Sequence, residues 1–378
     1  MRRLGTAIAV IVALAISGCR PVTPVASTGN WQVGVSNLEY SQEAVWENTF
    51  VGVEPYGLNY WADNNDEHQH IVVYDLNTRE KLQSIDPPSG KIIEPPAIYR
   101  NKIVFAAMDK KDHFRQMLSS AILPSPNYDI YLYDLETNQM RQLTTEEHGQ
   151  ISPRIYDDTV VWLDARNQTE PENSLDIYTL DLKTNKETRV TANPTASEMA
   201  FNGNTIVWTD DRYVDKAVPF LGINDPKLNY DIFAYDLESN KESRITASKN
   251  CDRRPAIEGS QITWLRQVTG YKADIYSYDL KSRKEALISH DGCAESNPSI
   301  QNNRVVWVEQ YLEKDAQSDK LTICGSAIVH YDLQTKTQTL LTPLERGEQS
   351  NDPVISGARI MYVRSCGGNY ACAMELSK

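Results

Sequence analysis

One short segment recurs seven times along this chain and sets what the chain can fold into. It reads HIVVYDL at 70–76, DIYLYDL at 129–135, DIYTLDL at 176–182, DIFAYDL at 231–237, DIYSYDL at 274–280, AIVHYDL at 327–333 and, degenerate, YACAMEL at 370–376. Its acidic residue (Asp75, Asp134, Asp181, Asp236, Asp279, Asp332, Glu375) marks the period: 300 residues over six intervals, a mean of 50. Self-similarity of that length means units that bury their apolar faces against their neighbours. Within each copy β-branched and aromatic residues alternate with others and run into turns such as ETNQ, KTNK or ESNK. That is a strand entering a hairpin.

A second segment precedes each marker: LNYWAD, KIVFAA, TVVWLD, TIVWTD, QITWLR, RVVWVE and RIMYVR. Its aromatic residue is Trp61, Phe105, Trp162, Trp208, Trp264, Trp307 and Tyr362. An aromatic inside a buried strand pattern is expected to wedge between neighbouring sheets rather than to form a ligand floor. A short strand comes before it, as in SPRIYDD, RPAIEGS and NPSIQNN, and a fourth follows the marker turn, as in MRQLT, ETRVT and ESRIT. Four strands per unit and seven units predict an all-β fold, a seven-bladed β-propeller of four-stranded blades, with six blades as the alternative. The last unit stops after its third strand. The alternating segment Trp31–Ser36 is expected to supply the fourth, closing the ring and removing two exposed sheet edges. Residues 31–378 are accordingly read as one propeller domain.

The run D-I-Y-x-Y-D-L-x-[ST]-[NR], then x-x-x-[IVL]-T, then P-x-I and I-V-W-x-D-x-R resembles the TolB-like propeller repeats over nearly all of 50–376. The resemblance implies the fold and, by analogy with many such proteins, a periplasmic or surface protein-binding module. It departs from the best-known members, which have six blades. The motif is structural and carries no chemistry of its own.

The chain begins with Arg2-Arg3 and an apolar run at 4–16, too short for a spanning helix, which ends in Ile16-Ser17-Gly18-Cys19. This resembles a bacterial lipoprotein signal: 1–18 a signal peptide, Cys19 the lipid attachment site, and the Pro-, Thr- and Ser-rich 19–30 a lipidated tether. The expected location is the bacterial cell envelope, membrane-anchored by lipid alone, with the domain periplasmic or extracellular. Lys+Arg number 38 against 51 Asp+Glu, a net charge of −13. Such a chain repels phosphate backbones, so no nucleic-acid partner is expected. A monomer is expected.

From marker to the next aromatic the spacing is 27–30 residues, but from aromatic to marker within a unit it runs from 13 to 29. The variation therefore lies between second and third strands, and one face of the propeller is elaborated while the other keeps short turns. The longest insertions are 110–128, 213–230 and 310–326. Phe114, Leu118, Phe220 and Leu221 within two of them are candidate partner contacts, since apolar anchors in a polar rim suit an interface. The same runs would suit a lid packed over the channel mouth.

Two residues past each aromatic, the second strand delivers Asp63, Asp164, Asp210, Arg266, Glu309 and Arg364 to that face. The first strands bring Arg154, Glu198, Arg254, Asn297 and Asp352 near the mouth. This ring of carboxylates and guanidiniums is a candidate ligand mouth. Paired carboxylates also permit glycoside hydrolysis. The competing reading is local Asp–Arg pairing, as the sequences Asp164/Arg166 and Asp210/Arg212 suggest. His68 and His70, two apart on an extended segment, form half of a possible metal site, or are solvated loop residues. No cofactor is expected, and a bound metal ion is left open. The chain carries no G-x-S-x-G, HExxH, phosphate-cradling glycine loop or EF-hand loop.

Five cysteines remain after Cys19, an odd number for an oxidising compartment. Equivalent positions in adjacent units suggest the pairs Cys251–Cys293 and Cys324–Cys366, with Cys366–Cys372 as the competitor. Two functions follow: a non-enzymatic module binding a protein or envelope polymer through its loop-rich face, or a carbohydrate-active lyase or hydrolase using the ring.

Overall fold

The computed structural model describes residues 31–36, 44–54, 69–112, 127–168, 175–191, 195–214, 228–269, 272–289, 294–314, 321–342, 349–365 and 369–376. Their strands pair, antiparallel throughout, into seven sheets. Sheet one holds Ala44–Trp46, Thr49–Glu54, His70–Asp75 and Glu80–Ile85. Sheet three holds Gln150–Tyr156, Thr159–Asp164, Asp176–Asp181 and Lys186–Arg189; sheet four holds Ala196–Asn202, Thr205–Asp210, Asp231–Asp236 and Lys241–Arg244. Sheet five holds Cys251–Glu258, Gln261–Thr269, Lys272–Asp279 and Lys284–Leu287; sheet six holds Ala294–Gln301, Arg304–Lys314, Leu321–Asp332 and Thr337–Leu340. Sheet seven orders Gln349–Ser356, Arg359–Ser365 and Asn369–Glu375, with Trp31–Ser36 paired antiparallel to the last of these.

Six of these sheets are four-stranded blades, the number the alternative count gave, and sheet two has five strands. Its extra strand has a local cause. In sheets three to seven the first strand bulges at a residue of positive φ: Ser152 (53°), Glu198 (43°), Arg254 (53°), Asn297 (51°) and Asp352 (48°). Aligned on the pairing of Ala97 with Val104 and of Arg154 with Val161, the same position in sheet two is Pro95. Proline fixes φ near −65° and has no N–H to donate. The bulge cannot form there, so the strand splits into Lys91–Ile93 and Ala97–Tyr99.

The repeat's marker acid is a turn residue. Asp181 Oδ1 accepts from the backbone N–H of Lys183 (2.8 Å) and Thr184 (2.9 Å), and Asp75, Asp134, Asp279 and Asp332 do the same in their hairpins. These N–H groups hold the carboxyls of Asp181, Asp279 and Asp332 below the ordinary range. Four residues past the marker the backbone turns left-handed, at Arg79, Asn138, Asn185, Asn240, Arg283 and Lys336. Asparagine at three of the six fits, since it tolerates that region best among residues with a Cβ. The Thr or Ser closing the fourth strand of sheets two to six also has a job: Thr144, Thr191, Thr246, Ser289 and Thr342 accept from the N–H of Ile130, Ile177, Ile232, Ile275 and Ile328 at 2.8–3.0 Å.

The core lies in layers between neighbouring sheets. Phe105, Trp162, Trp208, Trp264, Trp307 and Tyr362 are fully buried, and the four tryptophans and Phe105 each pack on a third-strand ring at 5.6–6.4 Å between centroids. They are wedges, as expected. A further layer of Phe50, Val72, Tyr74 and Leu76 with Met361 joins sheet one to sheet seven.

Sheet one corrects the alignment of the first unit. The strand paired with HIVVYD is Thr49–Glu54, with Thr49 opposite Asp75, and LNYWAD with Trp61 lies outside the described residues. Gly52 stands where the other sheets carry the aromatic. A Cβ on it would lie 3.0 Å from the ring of Phe50, which fills that space from two residues earlier. The aromatic marker is therefore displaced, and a WAD sequence further on imitates it.

Candidate functional site

At the ends of the second strands, the charges of Asp164, Asp210 and Arg266 are used within the sheets. Asp164 is fully buried. It accepts from Trp162 Nε1 (2.8 Å), the Arg166 N–H (2.9 Å), and Arg166 Nε and Nη2 (2.9 and 2.7 Å). Asp210 repeats this with Trp208 Nε1 (2.8 Å) and Arg212 Nε and Nη2 (2.8 and 2.7 Å). Each arginine then reaches a fourth-strand acid, Glu187 (2.8 Å) or Glu242 (2.7 Å), and lies over a third-strand ring, Tyr178 at 4.2 Å or Phe233 at 4.1 Å.

Sheet five builds the same arrangement from different positions. Arg266 stands where Asp164 and Asp210 do, yet its guanidinium lies 4.0 Å over Tyr276 and 2.7 Å from Glu285. Its buried carboxylate is Asp252, from the first strand, at 2.6 and 2.9 Å. With no acid two residues on, Trp264 Nε1 is left without a partner, and so is Trp307 Nε1, where Glu309 replaces Asp and accepts from the Tyr311 hydroxyl. Arg364 lies opposite Ser350 in sheet seven. Asp63 lies outside the described residues, and by strand register the corresponding residue of sheet one is Glu54, ion-paired to Lys81 at 3.0 Å.

A second polar ring lies nearer the axis, on the first strands. Glu198 accepts from Arg253 Nη2 (2.5 Å), Thr209 Oγ1 (3.0 Å) and the Arg254 N–H (3.1 Å). Arg254 Nη1 donates to Asn297 Oδ1, whose Nδ2 donates to Asp352 Oδ1 at 2.6 Å. This chain crosses sheets four, five, six and seven without a break. Despite burial, the arginines hold the Glu198 carboxyl below the ordinary range, whereas burial pushes Asp352 up against the pull of Arg254. Arg154 sits two residues beyond the bulge position its expected companions occupy, so Ser152 is their true equivalent. Burial raises the carboxyl of Glu94, which accepts the Ser152 N–H at 3.2 Å and lies beside Arg154. Glu94, Ser152 and Arg253 were legible only through the residue that precedes or follows the P-x-I element.

Phe114, Leu118, Phe220, Leu221, His68, Cys19, Cys293 and Cys366 lie outside the described residues. His70 Nδ1 is 2.6 Å from Asp86 Oδ1, and no group of three or more metal-ligating side chains occurs among the described residues. No disulfide joins described cysteines; Cys251 is buried, and Cys324 Sγ donates to the Tyr311 carbonyl at 3.3 Å. The third elaborated insertion is in part a strand pair: Tyr311–Lys314 pairs with Leu321–Gly325, prolonging the hairpin of sheet six. Among the described residues, no helix is long and apolar enough to cross a membrane.

The sheet architecture is that of a β-propeller. Its likeness to solved structures shows the same: the β-propeller domain of the Trilobed protease from Pyrococcus furiosus superposes with a TM-score of 0.61 at 12% identity, over 94% of this chain and 97% of that one. That propeller has an open velcro topology. The acylaminoacyl peptidase of Pyrococcus horikoshii gives 0.60 at 14% identity over 88% of this chain, which spans half the peptidase's length. TolB from Acinetobacter baumannii is also among the neighbours, at 0.40 and 14% identity over 83% of this chain and 78% of that one. No protein-family model matches the chain, and no curated protein matches it in sequence.

Proposed function

We propose that this chain is a non-enzymatic binding module of the cell envelope, anchored through a lipid on Cys19, whose loop-rich face engages a protein or envelope polymer. In this reading the five-stranded sheet counts as a blade, the ring has seven, and residues 31–378 form one domain. The observation that carries it is a contrast on one face. Asp164 and Asp210, which a hydrolase would need free, are fully buried in structural pairs. Among the described residues, the large apolar side chains exposed at that end, Tyr213 (49%), Val268 (43%) and Ile323 (45%), lie on or beside three consecutive sheets. A photo-crosslinking residue at position 268 or 323 should capture a partner from envelope extracts, and one at Leu82, an exposed residue on the outer edge of sheet one, should not. Adducts at 82 alone, or none at 268 and 323, would move the face elsewhere.

A further inference from the structure

The axial chain of side chains is unequal in charge. Glu198 is matched by Arg253, whose Nη2 lies 2.5 Å away and whose side chain is 9% exposed. Arg254 is second in line for the same carboxylate, its Nε at 3.6 Å, and its side chain is 40% exposed. Its Nη1 donates to the neutral amide of Asn297. Nη2 makes no hydrogen bond to a described residue. Asp352, the next acid, is separated from Arg254 by Asn297 and is pushed toward its neutral form by burial. A partly exposed guanidinium with donors to spare, on strands that line an axis, is an electrostatic trap in a chain whose net charge is −13.

We infer that Arg254 is an anion site in the axial channel, and that it receives one carboxylate of the protein partner, from an acidic side chain or a chain terminus. A single carboxylate fits better than a polyanion. A polyuronate would bring many negative charges to a strongly acidic protein for one cation gained, whereas a peptide brings the one it needs. The site stands on its own geometry; that a protein carries the carboxylate rests on the function proposed above.

Propionate and propionamide, which differ in charge and little else, test it on the full chain by saturation-transfer NMR. Wild type should bind propionate at least tenfold more tightly than propionamide. Arg254→Gln should lose that preference while keeping the wild-type far-UV dichroism spectrum and a cooperative unfolding transition, and Arg254→Lys should keep part of it. Equal affinity for the two probes in wild type, or undiminished preference in folded Arg254→Gln, overturns the site. Oligogalacturonate binding tenfold more tightly than propionate overturns the single-carboxylate argument. Loss of crosslinks at 268 and 323 with propionate binding intact would instead count against the binding face alone.

Discussion

Replacing Asp210 by Ala tests whether the second-strand carboxylates hold the fold or wait for a ligand. The side chain is fully buried and accepts five hydrogen bonds, from Trp208 Nε1, Thr195 Oγ1, and the N–H, Nε and Nη2 of Arg212, all at 2.7–3.0 Å. Removing one partner of a buried ion pair costs about 3–5 kcal/mol, since the other charge is left uncompensated. Two features place this case at the low end. Arg212 keeps Glu242 at 2.7 Å and is 29% exposed. An orphaned indole N–H costs about 1 kcal/mol, and the fold already tolerates one at Trp264. The expected loss is therefore about 3–4 kcal/mol. Removing Arg212 as well should add under about 1 kcal/mol, because the cycle isolates their shared term. Urea unfolding followed by tryptophan fluorescence and far-UV dichroism on wild type, both single variants and the double variant measures this. A loss below about 1 kcal/mol for Asp210→Ala, or additive single losses, would refute the structural assignment and return the carboxylate to the list of ligand groups.

The two tryptophan environments make a paired prediction. Trp208→Phe forfeits a hydrogen bond to a buried carboxylate, so it should cost about 1.5–3 kcal/mol more than Trp264→Phe, whose indole N–H has no partner; equal urea midpoints for the two would sink the distinction. Asp352 predicts a pH effect. Its folded-state carboxyl is raised by burial, so the stability it contributes is present below the unfolded value near pH 4 and lost as pH rises through the folded value. Asp352→Asn should therefore gain on wild type as pH rises above about 4, until the folded-state value is passed. A difference in melting that stays constant with pH, or one that runs the other way, would contradict the burial argument.

How far the sequence foretold this molecule depends on whether a residue's job is done inside its own repeat. The marker acid, the closing Thr or Ser and the buried aromatic all act within a few residues of themselves or one strand away, so their spacing recurs in most copies. Asp164/Arg166 and Asp210/Arg212 pairs were legible for the same reason. Gly52 was not. The ring it lacks is replaced by Phe50 from the same strand, and the period then locks onto Trp61 instead. Nor was the split first strand of sheet two, where a proline falls one residue early and forbids a backbone conformation that no residue count reveals. Arg154 was misaligned because SPR and RRP place their arginines on opposite sides of the proline. Contacts between repeats, such as Glu198 with Arg253, join residues 55 apart and leave no local signature.

Sheet five shows why a repeat of this kind separates fold from function. Its second strand ends in Arg266, a reversal of charge against Asp164 and Asp210, and by sequence that looks like a change of binding chemistry. The structure keeps the cation over the third-strand ring and in contact with a fourth-strand glutamate, and draws its counter-ion from Asp252 instead. The charge at that spot is conserved in space while its source in the chain changes. The arginine that breaks this rule is Arg254, which lies over none of the rings that hold Arg166, Arg212 and Arg266, and shares its acid with a neighbour. Chemistry free for a partner is found where a side chain departs from the blade's internal pairing, and in the axial ring that residue is Arg254.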